Sequence, residues 1–548
     1  VNPVPRPAAT VALLREALGG LEVFMLQRTR GAAFLAGAYV FPGGAIDEGD
    51  ADARIMQRVT GLDDGEASAR LGLASGGLGY WVAAVRECFE EAGILIAWDE
   101  QRRPVSAERA AALEHLRAPL NAGELSFAEF LERERLIVPA HQLAYFGHWI
   151  TAPGRSRRFD ARFFVAIAPP GQAGSHDNSE TIHNLWLPPQ DALERNAQGR
   201  IDLVFATKHT LAELARFTRP YDAFEHVKAL PEIETNRACW AQGKDGPRLF
   251  RRADPQYFEI HWCDPEESGN TSYEIVPGAP KRFDRLVTRI TAPNPGMMTG
   301  PGTNTYLVGE RELAVIDPGP AIASHVETVL AAGAGRIRWV LCTHTHLDHS
   351  PAAAAIRAAT GAQLIGRPAP HGQSQDQGFV PERVPAHGER LALGDISLRA
   401  LHTPGHASNH LCYLLEQTGM LFTGDHVMQG STVVINPPDG DMRAYLASLE
   451  ALLADEFAIF APGHGYLIGA PHKELRRLIA HRLAREAKVV AALARLGEAT
   501  LETLLPAVYD EVPAKLHAVA ARSLQAHLDK LAAEGGVRIE AGRYRPIG

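Results

Sequence analysis

Cysteine is scarce in this 548-residue chain. Five are scattered at Cys88, Cys239, Cys263, Cys342 and Cys412, with no CxxC pair. That argues against a disulfide framework and suits packed thiols in a reducing compartment, so a cytoplasmic location is expected. No apolar run approaches the roughly 18 residues of a membrane span. No basic-then-apolar leader opens the chain at Val1-Asn2-Pro3-Val4-Pro5, so no membrane partner is expected. Basic charge is not in excess: 55 Lys and Arg stand against 64 Asp and Glu, a net charge of -9. A protein coated in nonspecific nucleic acid is disfavoured, while a local basic groove stays open. The acid excess lies in the first half. Internal repeats and low-complexity tracts are also missing. What remains is an ordinary globular balance, 46% hydrophobic and 22% charged, in a chain long enough for two or three domains.

The densest chemistry is Thr343-His344-Thr345-His346-Leu347-Asp348-His349-Ser350. Four ligand-capable side chains fall within six residues, directly after the apolar run Arg338–Cys342, which reads as a buried strand. A turn there presents imidazoles and a carboxylate to one spot, a donor set suited to zinc. The plain alternative is a histidine-rich surface loop. Three further residues argue against it: His406 in T-P-G-H, Asp425 in F-T-G-D and His464 in A-P-G-H-G, each in a turn after an apolar or extended run. In this order the set resembles the metallo-β-lactamase superfamily. The resemblance implies one zinc on His344, His346 and His406, and a second on Asp348, His349 and His464. Asp425 would bridge them, and Asp317 in Asp-Pro-Gly would orient a ligand imidazole. Asp348 is also assigned a catalytic role. His402, His410 and His426 are out of register and read as packing or outer residues, with His426 the one expected to face the cleft.

The resemblance extends beyond the ligands. Asn294-Pro295-Gly296, Thr299–Tyr306, Leu401–His406, His481-Arg482 and the tail are similar to the β-lactamase-like protein 2 family. In the tail a basic helix carries Arg482, Arg485 and Lys488. Leu501–Tyr509, Lys515–Glu534 and Gly535–Ile539 then read helix, helix, turn, strand, a winged-helix-like unit. That family implies a zinc-dependent endoribonuclease acting on single-stranded RNA.

The first half carries a second pattern. Phe41-Pro42-Gly43-Gly44 is followed much later by Arg86-Glu87-Cys88-Phe89-Glu90-Glu91-Ala92-Gly93-Ile94. Glu87, Glu90 and Glu91 share one helix face. Three like charges there repel unless a hard cation such as magnesium sits among them; the plain alternative is a solvated acidic face. F-P-G-G with R-E-x-x-E-E-x-G-I resembles the Nudix box, which implies Mg2+ or Mn2+ on those three glutamates, a catalytic role for Glu90 and cleavage of a diphosphate. Asp50 stands where that family usually has Glu, and Ala51 to Gly79 is an insertion. With Gln27–Arg30 and Phe34-Leu35, it resembles the subgroup containing coenzyme A diphosphatases. Glu180 is a weak further candidate, more simply a surface residue.

The expected fold is α/β and α+β, multidomain. It comprises a Nudix-like α/β/α domain at 1–225, a β-rich bridge at 226–282, a metallo-β-lactamase αββα sandwich at 283–485 and a winged-helix-like tail at 486–548. Tyr257–Trp262 in the bridge reads as a strand. The leading function is hydrolysis of single-stranded RNA at a dinuclear zinc centre, with a Nudix-like half acting on a nucleoside-diphosphate or coenzyme A-type substrate. The alternatives are a thioester or ester hydrolase, of hydroxyacylglutathione or acyl-CoA type, and an RNA-binding protein with a silent Nudix-like half. The oligomeric state is open, a homodimer included.

Overall fold

The computed structural model describes residues 3–31, 35–177, 179–371 and 375–547. Phe34 lies outside them. The chain forms two compact units, Val1–Ala238 and Cys239–Gly548. The division falls inside the 226–282 stretch, so its first residues belong with the N-terminal unit.

The first unit is built on an eight-stranded mixed sheet. Its central strand, Arg6–Ala17, runs parallel to Phe159–Ile167 and antiparallel to Gly20–Arg28. The strand alternates strictly: Ala9, Val11 and Leu13 enter one core, and Ala12 and Leu14 the other. Burial on both faces explains why it reads as a nearly unbroken apolar run. The helix Leu78–Ala92 covers one face. Its Trp81 is fully buried, donates its indole N–H to the Leu143 carbonyl and packs on Phe164. Helices Pro189–Ala197, Phe205–Leu214 and Pro220–Lys228 contribute to the core on the opposite face. The insertion after Asp50 is ordered: it forms the short helices Ala53–Met56 and Asp64–Leu71 and leads directly into Leu78–Ala92.

The second unit stacks two sheets whose strands follow chain order, six from Pro280 to Ile365 and five from Arg390 to Pro462. Their inner faces share one apolar core that includes Tyr306, Ile316, Leu398 and Phe422. Helices Ala323–Gly333 and Ala352–Thr360 cover the outer face of one sheet, and Met442–Leu452 and Pro471–Leu496 that of the other. This is an αββα sandwich. The tail adds helices Leu501–Val508 and His517–Ala533 and a hairpin, Val537–Glu540 with Arg543–Pro546, around its own small core.

Two expectations need correction here. Tyr257–Cys263 is a helix, not a strand. Its aromatic content favours a strand reading, but Phe258 and Trp262 are spaced i, i+4 and both pack on the sandwich core, which is helical periodicity. The basic tail helix is also not a cationic surface. Arg482 is buried and donates to the Val433 carbonyl, and Arg485 is buried against the Val508 carbonyl and Glu511. Lys488 pairs with Asp510 and Glu511. Arg482 and Arg485 are matched inside the fold and Lys488 in an exposed pair, because the Val433 segment before the helix and the Val508–Glu511 stretch after it bring carbonyls and acids to them.

Candidate metal centre and acidic cleft

In the second unit the candidate residues leave the ends of different strands on one edge of the sandwich. Asp317 follows Leu313–Ile316, and the H-x-H-x-D-H turn follows Ile337–Leu341. His406 follows Ile396–His402, Asp425 follows Met420–Gly424 and His464 follows Ile459–Pro462. Residues far apart in sequence therefore converge. His346 Nδ1 lies 2.9 Å from His344 Nε2 and 3.0 Å from His406 Nε2. Beside this trio, Asp348 Oδ2 is 3.4 Å from both His349 Nε2 and His464 Nε2.

Asp425 joins the two groups. Its Oδ1 is 3.5 Å from His349 Nε2 and 3.3 Å from His464 Nε2, while its Oδ2 is 3.7 Å from His406 Nε2. His349 Nε2 and Asp425 Oδ1 are buried and complete no well-formed hydrogen bond. Buried polar atoms are normally paired, so donor atoms that converge without a partner fit divalent cations. Among the described residues, the groups of three ligand-capable atoms lie here: His344–His346–His406, His344–His349–Asp425 and Asp348–His349–His464.

The surroundings fix the ligand rings. His349 Nδ1 is 2.9 Å from Asp317 Oδ2, and the other Asp317 oxygen accepts the Thr343 N–H at 2.7 Å. His406 Nδ1 meets the Val434 carbonyl at 2.8 Å and His464 Nδ1 the Gly302 carbonyl at 3.2 Å. The Thr303 hydroxyl donates to Asp348 Oδ2 at 3.0 Å. Such contacts leave the other ring nitrogen for a metal. Gly463 matters by what it lacks: a Cβ there would stand 2.6 Å from Asp425 Oδ1.

The imidazoles divide electrostatically. Burial, with His406 beside it, holds the His346 pKa down to about 3. Burial, then His349, holds His344 well below the usual range. Against the same burial, Asp348 and Asp425 hold His349 well above it, and Asp425 raises His464. Asp425 is held well below the carboxylate range, against its burial, by His464 and His349. One trio is therefore a neutral donor set and the other a charge-matched pair of imidazoles and acids. His426 does not face the cleft. It is fully buried between His410 and Tyr445, and His410 stacks on His344 with ring centroids 5.1 Å apart.

In the first unit the three glutamates do not converge on one point. Arg86 stands among them, donating to both Asp50 oxygens at 2.8 and 3.0 Å and to Glu87 and Glu90 at 2.9 Å each. Asp50 is buried in this pair, so the shorter side chain still reaches the arginine. Glu91 accepts the Gly43 N–H at 2.9 Å, and a Cβ on Gly44 would stand 2.3 Å from Glu87 Oε1. F-P-G-G thus lets backbone press against the acidic helix face, a role the motif shows only once folded. Burial pushes the Glu87 carboxyl up to about 7, with Arg86 opposing, and burial raises Glu90 as well. These residues line a cleft of about 480 Å³ that also holds Asp47, Asp177 and Glu180. Glu180 is largely exposed and pairs with Arg28 at 3.2 Å. Arg86 was the signal missed in sequence: the R of R-E-x-x-E-E joins the two halves of the motif across the insertion.

Residues 298–464 match the metallo-beta-lactamase superfamily, 500–544 the beta-lactamase associated winged helix domain, and 63–214 the NUDT19 Nudix domain. The chain is 31% identical over 280 residues to a beta-lactamase-like protein 2 homolog of Drosophila melanogaster, covering 48% of this chain and 94% of that protein. It is 34% identical over 242 residues to the thioesterase pkgB of Emericella nidulans, covering 43% of this chain and 68% of that one. A solved metallo-beta-lactamase family protein from Thermus thermophilus is similar at 21% identity and a TM-score of 0.42, over 48% of this chain and 100% of its own.

Proposed function

We propose that this hydrolase, which belongs to the metallo-beta-lactamase superfamily and carries a Nudix domain in its first half, cleaves a thioester at the paired histidine–aspartate site. The observation that carries the hydrolytic reading is Asp425, whose two oxygens divide between the two donor clusters. His344, His346 and His406 would hold one zinc, and Asp348, His349 and His464 a second, with Asp425 between them. Two zinc ions there would supply Lewis acidity and a water made nucleophilic near neutral pH. The chain's own part is to hold those ligands in fixed rotamers and to accept a proton. Asp348 is the more exposed ligand carboxylate, 29% against 12% for Asp425, and we assign it the proton of the attacking water. Water oxygen bonds to the acyl carbon, the C–S bond breaks, and the departing sulfur takes up a proton.

Two observations favour a thioester over RNA. Leu347 sits exposed between His346 and Asp348, and Met297 and Met298 are exposed in the loop whose Thr303 touches Asp348. An apolar rim suits an acyl chain better than a phosphate backbone. Relatives at similar identity bear thioesterase names, among them an atrochrysone carboxyl ACP thioesterase of Aspergillus chevalieri at 31%. The second reading, single-stranded RNA cleavage, is supported by the beta-lactamase-like protein 2 relative and the winged-helix match. It draws no support from Arg482 and Arg485, which are buried.

For the Nudix half we propose Mg2+- or Mn2+-assisted cleavage of a nucleoside-diphosphate or coenzyme A-type diphosphate in the acidic cleft, in a cytoplasmic setting. No helix among the described residues is long and apolar enough to cross a membrane. The test is one substrate panel: the zinc-loaded chain on an acyl-CoA, an S-acyl glutathione and a labelled single-stranded RNA. Thioester cleavage lost in His346→Ala and unaffected by Glu90→Gln supports the reading. RNA cleavage with neither thioester cut refutes it.

A further inference from the structure

We propose that Glu259 is a positioning residue for His464: a helix outside every family match clamps the turn that carries one of the ligands. The inference rests on the paired-site reading above.

Glu259 lies on the helix Tyr257–Cys263, and 215–297 falls between the matched regions. Its carboxylate is completely buried. It accepts two hydrogen bonds from Arg289, at 2.6 and 3.0 Å, one from Lys281 at 2.6 Å, and the Leu467 N–H at 3.2 Å. A buried carboxylate persists only when its partners are this complete. Against its burial, Arg289 and then Lys281 hold its pKa down, so it is ionised. Arg289 in turn donates to the Gly465 carbonyl at 3.2 Å. The carboxylate therefore grips the turn at Leu467 directly and at Gly465 through one arginine, immediately after His464.

Neighbouring contacts act on the same short stretch. Gln256 donates to the Tyr466 hydroxyl at 3.4 Å, and that hydroxyl donates to the Tyr273 carbonyl at 3.0 Å. Phe258 occupies the space over Gly469, where a Cβ would come within 2.0 Å of its ring. From the inner side, Asn304 also donates to the Gly465 carbonyl, at 2.9 Å. The turn is thus held between a core strand and an added helix. The other ligands leave different strand ends, whereas these contacts fall on the turn that follows His464. A defect in the clamp therefore reaches the Asp348–His349–His464 cluster and spares the His344–His346–His406 trio, which a general core defect would not do.

The experiment titrates zinc alone into the chelator-stripped full-length chain against a chromophoric chelator. The wild type binds two ions. In Glu259→Gln, one of the two ions loses about tenfold or more in affinity, the range for residues that orient ligands, while the other stays within about twofold. Activity falls in step and recovers at saturating zinc. Tyr466→Phe removes a clamp contact without stranding a charge, and shifts the same ion in the same direction by less. Lys281→Met, which takes one partner from the carboxylate but leaves the Arg289–Gly465 link, shifts the same ion in the same direction. If Glu259→Gln does not fold, Tyr466→Phe decides. Equal weakening of both ions, or no change in either, overturns the inference. A wild type that fails to bind two ions overturns the paired-site reading, and the inference with it.

Discussion

Glu87→Gln should make the metal-free protein more stable, and increasingly so as pH rises. Glu87 sits on the buried helix Leu78–Ala92, pressed by Gly44 and bonded to Arg86 at 2.9 Å. Burial raises its carboxyl from the ordinary value of 4.5 to about 7. A carboxyl whose pKa is higher in the folded state contributes stability below its unfolded pKa and loses it as pH rises through the folded one. Gln has no proton to lose. With a tenfold change in a protonation equilibrium equal to about 1.4 kcal/mol, the relief is about 1 kcal/mol at pH 5.5 and about 3 kcal/mol at pH 8. The pull of Arg86 on the charge is already part of that value of about 7, and the amide oxygen of the variant can still accept the Arg86 N–H. Because the chain has two units, the assay is hydrogen exchange of the Leu78–Ala92 amides in chelator, comparing variant and wild type at each pH. Equal protection at pH 8, or an advantage that does not grow between pH 5.5 and pH 8, refutes the reasoning. With saturating Mg2+ the order should reverse, since the wild-type carboxylate then has a cation to neutralise it.

The remaining predictions concern the second unit. Gly463→Ala should reduce zinc content to below the wild-type level without altering a ligand, because its Cβ would sit 2.6 Å from Asp425 Oδ1; metal analysis after dialysis checks it. Asp425→Asn should drop hydrolysis by at least about 100-fold and lower zinc stoichiometry, read by turnover and metal analysis on one preparation. Lys488→Ala should leave cleavage of thioester and RNA within about twofold, because that cation is engaged by Asp510 and Glu511 in an exposed pair; a larger loss on RNA alone would restore the case for a nucleic-acid surface.

Much of the candidate site was legible because its chemistry is local. H-x-H-x-D-H places four ligand-capable groups in one turn, and T-P-G-H, T-G-D and P-G-H-G are turns after apolar strands, readable one at a time. The strand Thr181–Leu187 was predicted at those residues, and the insertion after Asp50 could be bounded though not given a structure. What was not legible depended on partners distant in sequence. The cations of Arg482 and Arg485 look like a surface until Val433, Val508 and Glu511 are brought to them. His426 looked able to reach the cleft until Tyr445 and His410 enclosed it.

Residue type and spacing alone therefore determined which groups could donate to a cation, and in which turns they lie, because coordination chemistry depends on side-chain atoms that the sequence names directly. Only the folded chain decided how those groups are shared. Asp425 divides its oxygens between two clusters because Met420–Gly424 and Ile459–Pro462 end side by side. Arg86 separates the glutamates because Asp50 is carried to it across the insertion. The His464 turn gains its outer support because a helix absent from the family matches folds against it. Each is a matter of distance between remote segments, which packing of the cores sets and no local pattern encodes.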